Sequence, residues 1–130
     1  MEAQYIKINE RGSKFYYKDR KMRILHRTDG PAVEWYDGDK EWYFNGKRHR
    51  TDGPAIEWYD GAKEWYVNGE LHREDGPAIE YASGDKRFYI NGKYLTKDEF
   101  LKRTAPEIVL TMDEIATKFG VDVSKLKIKK

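Results

Sequence analysis

The chain has 130 residues, 37% of them charged and 15% aromatic, with 25 Lys/Arg against 23 Asp/Glu for a net charge of +2 and no cysteine. That length fits one domain or a repeat array with a small appendage, the aromatics exclude a disordered chain, and the lack of cysteine excludes a disulfide framework or a thiolate metal site. MEAQYIKINERGSK at the start has no signal-peptide-like apolar run and no stretch reaches membrane-spanning length, so a cytoplasmic protein with no membrane partner is expected.

In chain order, Tyr5–Ile8, the turn NERG and Lys14–Tyr17 read as a degenerate first β-hairpin within residues 1–28. Gly12 to His26 spans fourteen residues, against eleven from Gly38 to His49, so a three-residue insertion falls in the loop holding Lys18, Arg20, Lys21 and Arg23. This is the most basic stretch: residues 1–28 carry eight Lys/Arg against three Asp/Glu, net +5, whereas residues 29–95 carry nine against fourteen, net −5. A nucleic-acid binder concentrates positive charge on its main surface. Here the basic loop and the C-terminal lysines make nucleic acid the alternative partner, not the first.

From His26 onward the chain repeats every 23 residues: HRTDGPA at 26–32 and 49–55, then HREDGPA at 72–78. Each unit also carries a DG-type turn (Asp37-Gly38, Asp60-Gly61, Ser83-Gly84) and an NG turn (Asn45-Gly46, Asn68-Gly69, Asn91-Gly92). A fixed period in this range marks stacked repeats, and NG and DG flanked by aromatic and β-branched residues mark two-residue hairpins. Two strands per unit keep successive units in the same orientation, so TDGP is read as a bend or bulge inside one long strand. Asp29, Asp52 and Asp75 are expected to make Asx turns there.

Alternation along the strands assigns Val33, Trp35, Trp42, Phe44, Ile56, Trp58, Trp65, Val67, Ile79, Tyr81, Phe88 and Ile90 to a dry face. Glu34, Tyr36, Glu41, Tyr43, Glu57, Tyr59, Glu64, Tyr66, Glu80 and Tyr89 take the wet face. Two-residue NG turns pair Tyr43 with Arg48, Trp42 with His49 and Glu41 with Arg50, then Trp65 with His72 and Glu64 with Arg73. His26, His49, His72, Arg50 and Arg73 are therefore structural. Equivalent histidines two strands apart stand ~9.6 Å from one another, too far to share one metal ion. No motif supports catalysis, and no cofactor or metal is expected.

Past Asn91-Gly92, residues 96–130 read as a small α+β cap. Thr96-Lys-Asp-Glu99 and Thr111-Met-Asp-Glu114 are capping boxes opening helices at about 97–103 and 112–119. Phe100 and Leu101 are placed to pack the first helix, and Pro106–Leu110 and Leu126–Lys129 read as strands. EIATKFGVDVSKL at 114–126 offers a rival helix-turn-helix reading, for which a third helix is missing.

The stretches W-Y-F-N-G-K-R-H at 42–49 and W-Y-V-N-G-E-L-H at 65–72 resemble the MORN repeat, a β-hairpin unit. Where MORN repeats carry HGxG this chain has HRTDGPA or HREDGPA, a variant similar to repeats in bacteriophage and giant-virus proteins. The resemblance covers about residues 12–95. It implies a mainly β fold, an antiparallel meander of three to four units over residues 1–95, and an adaptor role. A viral protein would meet a host protein in the host cytoplasm. The candidate partner-binding residues are Tyr36, Tyr43, Tyr59, Tyr66, Tyr89 and Arg48, because tyrosine offers large contact area at low entropic cost. An aromatic face in need of cover also points to a homo-oligomer.

Overall fold

The computed structural model describes residues 4–105 and is mainly β. The first hairpin joins β1 (Tyr5–Ile8) to β2 (Lys14–Tyr17). The next unit holds β3 (Val33–Glu34), β4 (Lys40–Glu41), β5 (Tyr43–Phe44) and β6 (Lys47–Arg48). Its successor repeats these as β7 (Ile56–Glu57), β8 (Lys63–Glu64), β9 (Tyr66–Val67) and β10 (Glu70–Leu71). The last unit has β11 (Ile79–Glu80), the unbroken β12 (Lys86–Ile90) and β13 (Lys93–Leu95), followed by helix α1 (Lys97–Thr104). The other cap elements expected after residue 105, the helix at 112–119 and the 114–126 motif included, lie outside the described residues.

One antiparallel sheet in the order β1-β2-β3-β4-β7-β8-β11-β12-β13 joins the first hairpin, the DG hairpins and, through unbroken β12, the Asn91-Gly92 hairpin. The NG hairpins β5–β6 and β9–β10 are joined through Gly69 N–H to Arg48 O (2.8 Å) and Arg50 N–H to Tyr66 O (3.2 Å). Each long arm is thus interrupted at Trp42 or Trp65 and again across HR-x-DGPA, as the bend expected at TDGP requires. The NG turns are the type I′ turns expected, with Asn45 at φ 50° and Gly46 at φ 79°.

The DG turns depart from expectation. Trp35 N–H bonds Asp39 O at 2.9 Å and Gly38 N–H bonds Trp35 O at 3.0 Å, closing a three-residue loop in which Gly38 has positive φ and Asp37 does not. The added loop residue shifts the pairing by one, so Val33 faces Glu41, where a two-residue loop would have set Trp42. A slip of one residue moves a side chain to the other face of a sheet. Glu41 and Glu64, expected on the wet face, therefore lie in the row Phe15, Val33, Glu41, Ile56, Glu64, Ile79, Arg87. The opposite face carries an alternating row, Lys14, Glu34, Lys40, Glu57, Lys63, Glu80, Lys86. Opposite charges across strands contribute ~0.2–1 kcal/mol per pair.

Tightly buried Ala32, Val33, Ala55, Ile56 and Ala78 run through the repeats, and a separate cluster of Ile90, Leu95 and Phe100, backed by Phe88, seats α1 on the last strands. The first capping box forms as expected: Glu99 N–H donates to Thr96 Oγ1 and Thr96 N–H to Glu99 Oε1, both at 3.1 Å. Phe100 is buried; Leu101, also expected to pack, is exposed because adjacent helical residues point about 100° apart. The basic loop folds around Asp19, whose Oδ1 accepts Arg23 and Ile24 N–H, each at 2.8 Å.

Candidate functional site

Each repeat presents two distinct surfaces, one built by HR-x-DGPA and one by the DG turn. In the first, every histidine accepts a backbone N–H through Nδ1: His26 from Asn45 (2.9 Å), His49 from Asn68 (3.1 Å) and His72 from Asn91 (2.9 Å). The donor is always the first residue of the next NG turn. The histidine therefore ties one repeat to the following hairpin, in a role the sequence pattern assigned to packing on Trp. His49 N–H does bond Trp42 O, at 3.1 Å.

It is the arginine that covers the tryptophan. Arg50 Cζ lies 3.9 Å from the Trp42 ring centroid, Arg73 3.8 Å from that of Trp65, and Arg27 3.9 Å from that of Tyr16. A Cβ built on Gly53 would come within 2.9 Å of Arg50 Cζ, and one on Gly76 within 2.9 Å of Arg73 Cζ. The guanidinium is thus held between an aromatic ring and a glycine whose missing side chain makes the space. In its plane Arg50 donates to Asp52 Oδ1 (2.8 Å) and Pro54 O (3.0 Å), and it reaches Glu57 at 3.5 Å. Arg27 and Arg73 repeat the pattern with Asp29 and Glu34, and with Asp75 and Glu80.

The expected pairs Arg50–Glu41 and Arg73–Glu64 do not form. Beyond His49 the chain leaves its own hairpin, and Arg50 N–H bonds Tyr66 O of the next. The expected Asx turns are likewise replaced: the main partner of Asp29, Asp52 and Asp75 is the arginine two residues before. Hydrogen bonds and charge from those arginines hold the three carboxyls below their ordinary value of 3.8. The resulting stability is complete above that value and is lost as the pH falls through the depressed folded values. Between successive loops lie open clefts, one of about 510 Å³ floored by Trp42, Phe44 and His49.

The second surface is a row of aromatics on the DG turns. Tyr36 is 58% exposed and Tyr59 74%, and Trp35, Trp58 and Tyr81 are exposed beside them. The two indoles are fixed. Trp35 Nε1–H donates to Glu41 at 2.5 Å, and Trp58 Nε1–H to Glu64 at 2.6 Å. The same carboxylates accept Tyr43 Oη–H and Tyr66 Oη–H, each at 3.0 Å. Arg48 donates to Glu41 at 3.3 Å and stands 5.4 Å from the Tyr66 ring centroid, linking the two repeats. Burial and Glu41 raise the Tyr43 phenol, while burial and Glu64 push that of Tyr66 up to about 12.

The structure therefore separates the candidate residues. Tyr36 and Tyr59 face outward; Tyr43, Tyr66 and Arg48 hold the carboxylates beneath them; half-buried Tyr89 packs edge-on to Tyr94 at 5.6 Å. Neighbouring turns are joined directly, through Tyr36 N–H to Ser13 Oγ (3.0 Å) and Tyr59 N–H to Asp39 Oδ1 (2.7 Å). Trp35 and Trp58 were missed as site residues. Their signal was present: Trp35/Glu41 and Trp58/Glu64 recur at the same spacing and change together to Tyr81/Arg87, where Arg87 lies 5.6 Å from the Tyr81 centroid.

In the basic loop, Lys18 Nζ donates to Asn45 Oδ1 at 2.6 Å and Arg23 pairs with Asp19 at 3.1 Å, while Arg20 and Lys21 are exposed. Among the described residues no cluster of three or more His, Cys, Asp or Glu could hold a metal ion, and no helix is long and apolar enough to cross a membrane. No protein-family model, curated protein or solved structure matches this chain.

Proposed function

We propose that this chain is a non-enzymatic protein-binding module whose contact surface is the DG-turn row: Trp35, Tyr36, Trp58, Tyr59 and Tyr81. One observation carries the reading. The exposed indoles are pinned through their N–H groups to Glu41 and Glu64, so the platform is ordered before any partner arrives. Rigid, exposed Trp and Tyr are the residues that dominate binding energy at protein interfaces, and pre-ordering removes part of the entropic cost of docking. The acidic balance of residues 29–95 favours a protein over a nucleic acid. The resemblance to MORN-type repeats of phage and giant-virus proteins supports an adaptor role and a host protein as the partner.

The test is affinity capture from cells of the natural host, using wild type, Tyr36→Ala/Tyr59→Ala and Tyr94→Ala proteins. Tyr94 is a control, exposed on β13 away from the row. A specific partner should be kept by wild type and Tyr94→Ala and lost from the double variant. Equal capture by all three proteins would remove the turn row as the contact surface.

A further inference from the structure

The DG-turn row also points to the chemistry of what it binds. Resting on the docking role proposed above, we infer that the middle turn receives an arginine side chain of the partner, seated on Tyr59 between Asp37 and Asp60. The chain contains its own version of this contact. Arg11 Cζ lies 5.4 Å from the Tyr36 ring centroid, and Arg11 NH1 donates to Tyr36 Oη at 3.2 Å.

Arg11 and Asp37 hold the same position in successive turns. Asn9 N–H bonds Ser13 O and Gly12 N–H bonds Asn9 O, both at 3.0 Å, matching the closure of the turn at Trp35–Asp39. Ser13 takes the Tyr36 amide as Asp39 takes that of Tyr59. From one turn, then, an arginine reaches forward onto the next tyrosine; from the following turn, the residue so placed is an aspartate. In the last unit a different pair, Arg87 on β12 and Tyr81 at the position of Trp35 and Trp58, stands 5.6 Å apart. Among the described residues no cation lies over Tyr59, the most exposed large aromatic of the row.

Tyr59 thus lies between turns that carry Asp37 and Asp60, whose Oδ1 atoms accept the Asp39 and Ala62 N–H groups at 3.1 and 2.9 Å, in a region of net charge −5. A guanidinium suits that setting better than an ammonium: it is planar, stacks on aromatic rings, and donates in its plane to carboxylates on either side. The positive ends, Arg11 and Arg87, leave the middle of the row as the cation-accepting part.

N-acetyl-argininamide titrated against the whole, isotope-labelled chain provides the test, read as shifts of the Trp58 indole N–H and Tyr59 amide signals. Wild type should show shifts centred on Tyr59, with smaller ones from the lysine analogue and none from the neutral citrulline analogue. Tyr59→Ala should weaken binding by about two- to fivefold, the scale of an exposed cation–π contact, and Tyr59→Phe should retain it. Asp37→Arg places an arginine where Arg11 stands in the preceding turn and should close the site. Arg11→Asp should open a second one at Tyr36. Shifts from the citrulline analogue equal to those from arginine, no localised shift, or Asp37→Arg and Arg11→Asp proteins that respond as wild type does would each overturn the inference. If any of these occurs while host capture still depends on Tyr36 and Tyr59, the docking role stands and only the arginine falls. If capture is indifferent to the tyrosines, both fall.

Discussion

The two surfaces of one repeat are built to opposite rules. In HR-x-DGPA the long polar side chain is drawn in: the arginines keep only 18–20% of their side-chain surface exposed, and each is stacked, paired and bonded to a backbone carbonyl. On the DG turns large aromatic side chains are pushed out, and the two indoles are tied through their N–H groups to Glu41 and Glu64. The third unit sharpens the contrast. It keeps HR-x-DGPA with one change, Thr to Glu74, yet replaces Trp-Tyr-Asp-Gly by Tyr-Ala-Ser-Gly on the turn. Within this chain, the part that joins repeats is held nearly constant while the outward part changes in the third unit.

The contrast places the largest losses of stability at the joint. Arg50→Ala leaves Pro54 O without its donor and uncovers Trp42. A half-buried acceptor that loses its donor and a lost cation–π contact together cost roughly 2 kcal/mol, to be read from denaturant unfolding. Gly53→Ala probes the same stack from the other side. Gly53 has no positive φ, so backbone strain is not involved; the new methyl group displaces the guanidinium from Trp42. A cost of roughly 1–2 kcal/mol is expected, in the lower part of the overpacking range because the arginine can swing out to water. A Gly53→Ala protein as stable as wild type would show that the stack contributes little.

Much of this architecture could be read from residues alone. The 23-residue period, the NG turns, the first hairpin, the loop after β2 and the Thr96/Glu99 capping box all depend on short-range chemistry, and all are present. What escaped depends on longer reach. Asp-Gly fits a two-residue or a three-residue hairpin loop equally well, and the choice decides which face Glu41 and Glu64 occupy. Cross-strand pairing assumes a straight ladder, so it could not foresee Arg50 turning back to its own loop. Gly53 read as part of a strand bend because its neighbour, the Arg50 guanidinium, is brought there only by the folded chain. The turn row was half seen: Tyr36 and Tyr59 stood out as wet-face strand aromatics, while Trp35 and Trp58 were assigned to the dry face.

The smallest expected change in stability is also the most telling. Thermal unfolding of Tyr36→Ala/Tyr59→Ala protein asks directly whether the outward aromatics serve recognition or merely brace the sheet. Loss of the exposed Arg11–Tyr36 contact costs about 0.5–1 kcal/mol, and Tyr59→Ala adds no more than about 0.5 kcal/mol. The account predicts a melting temperature between those of wild type and Arg50→Ala for this double variant. A loss as large as that of Arg50→Ala would contradict it, and would make the turn row part of the scaffold.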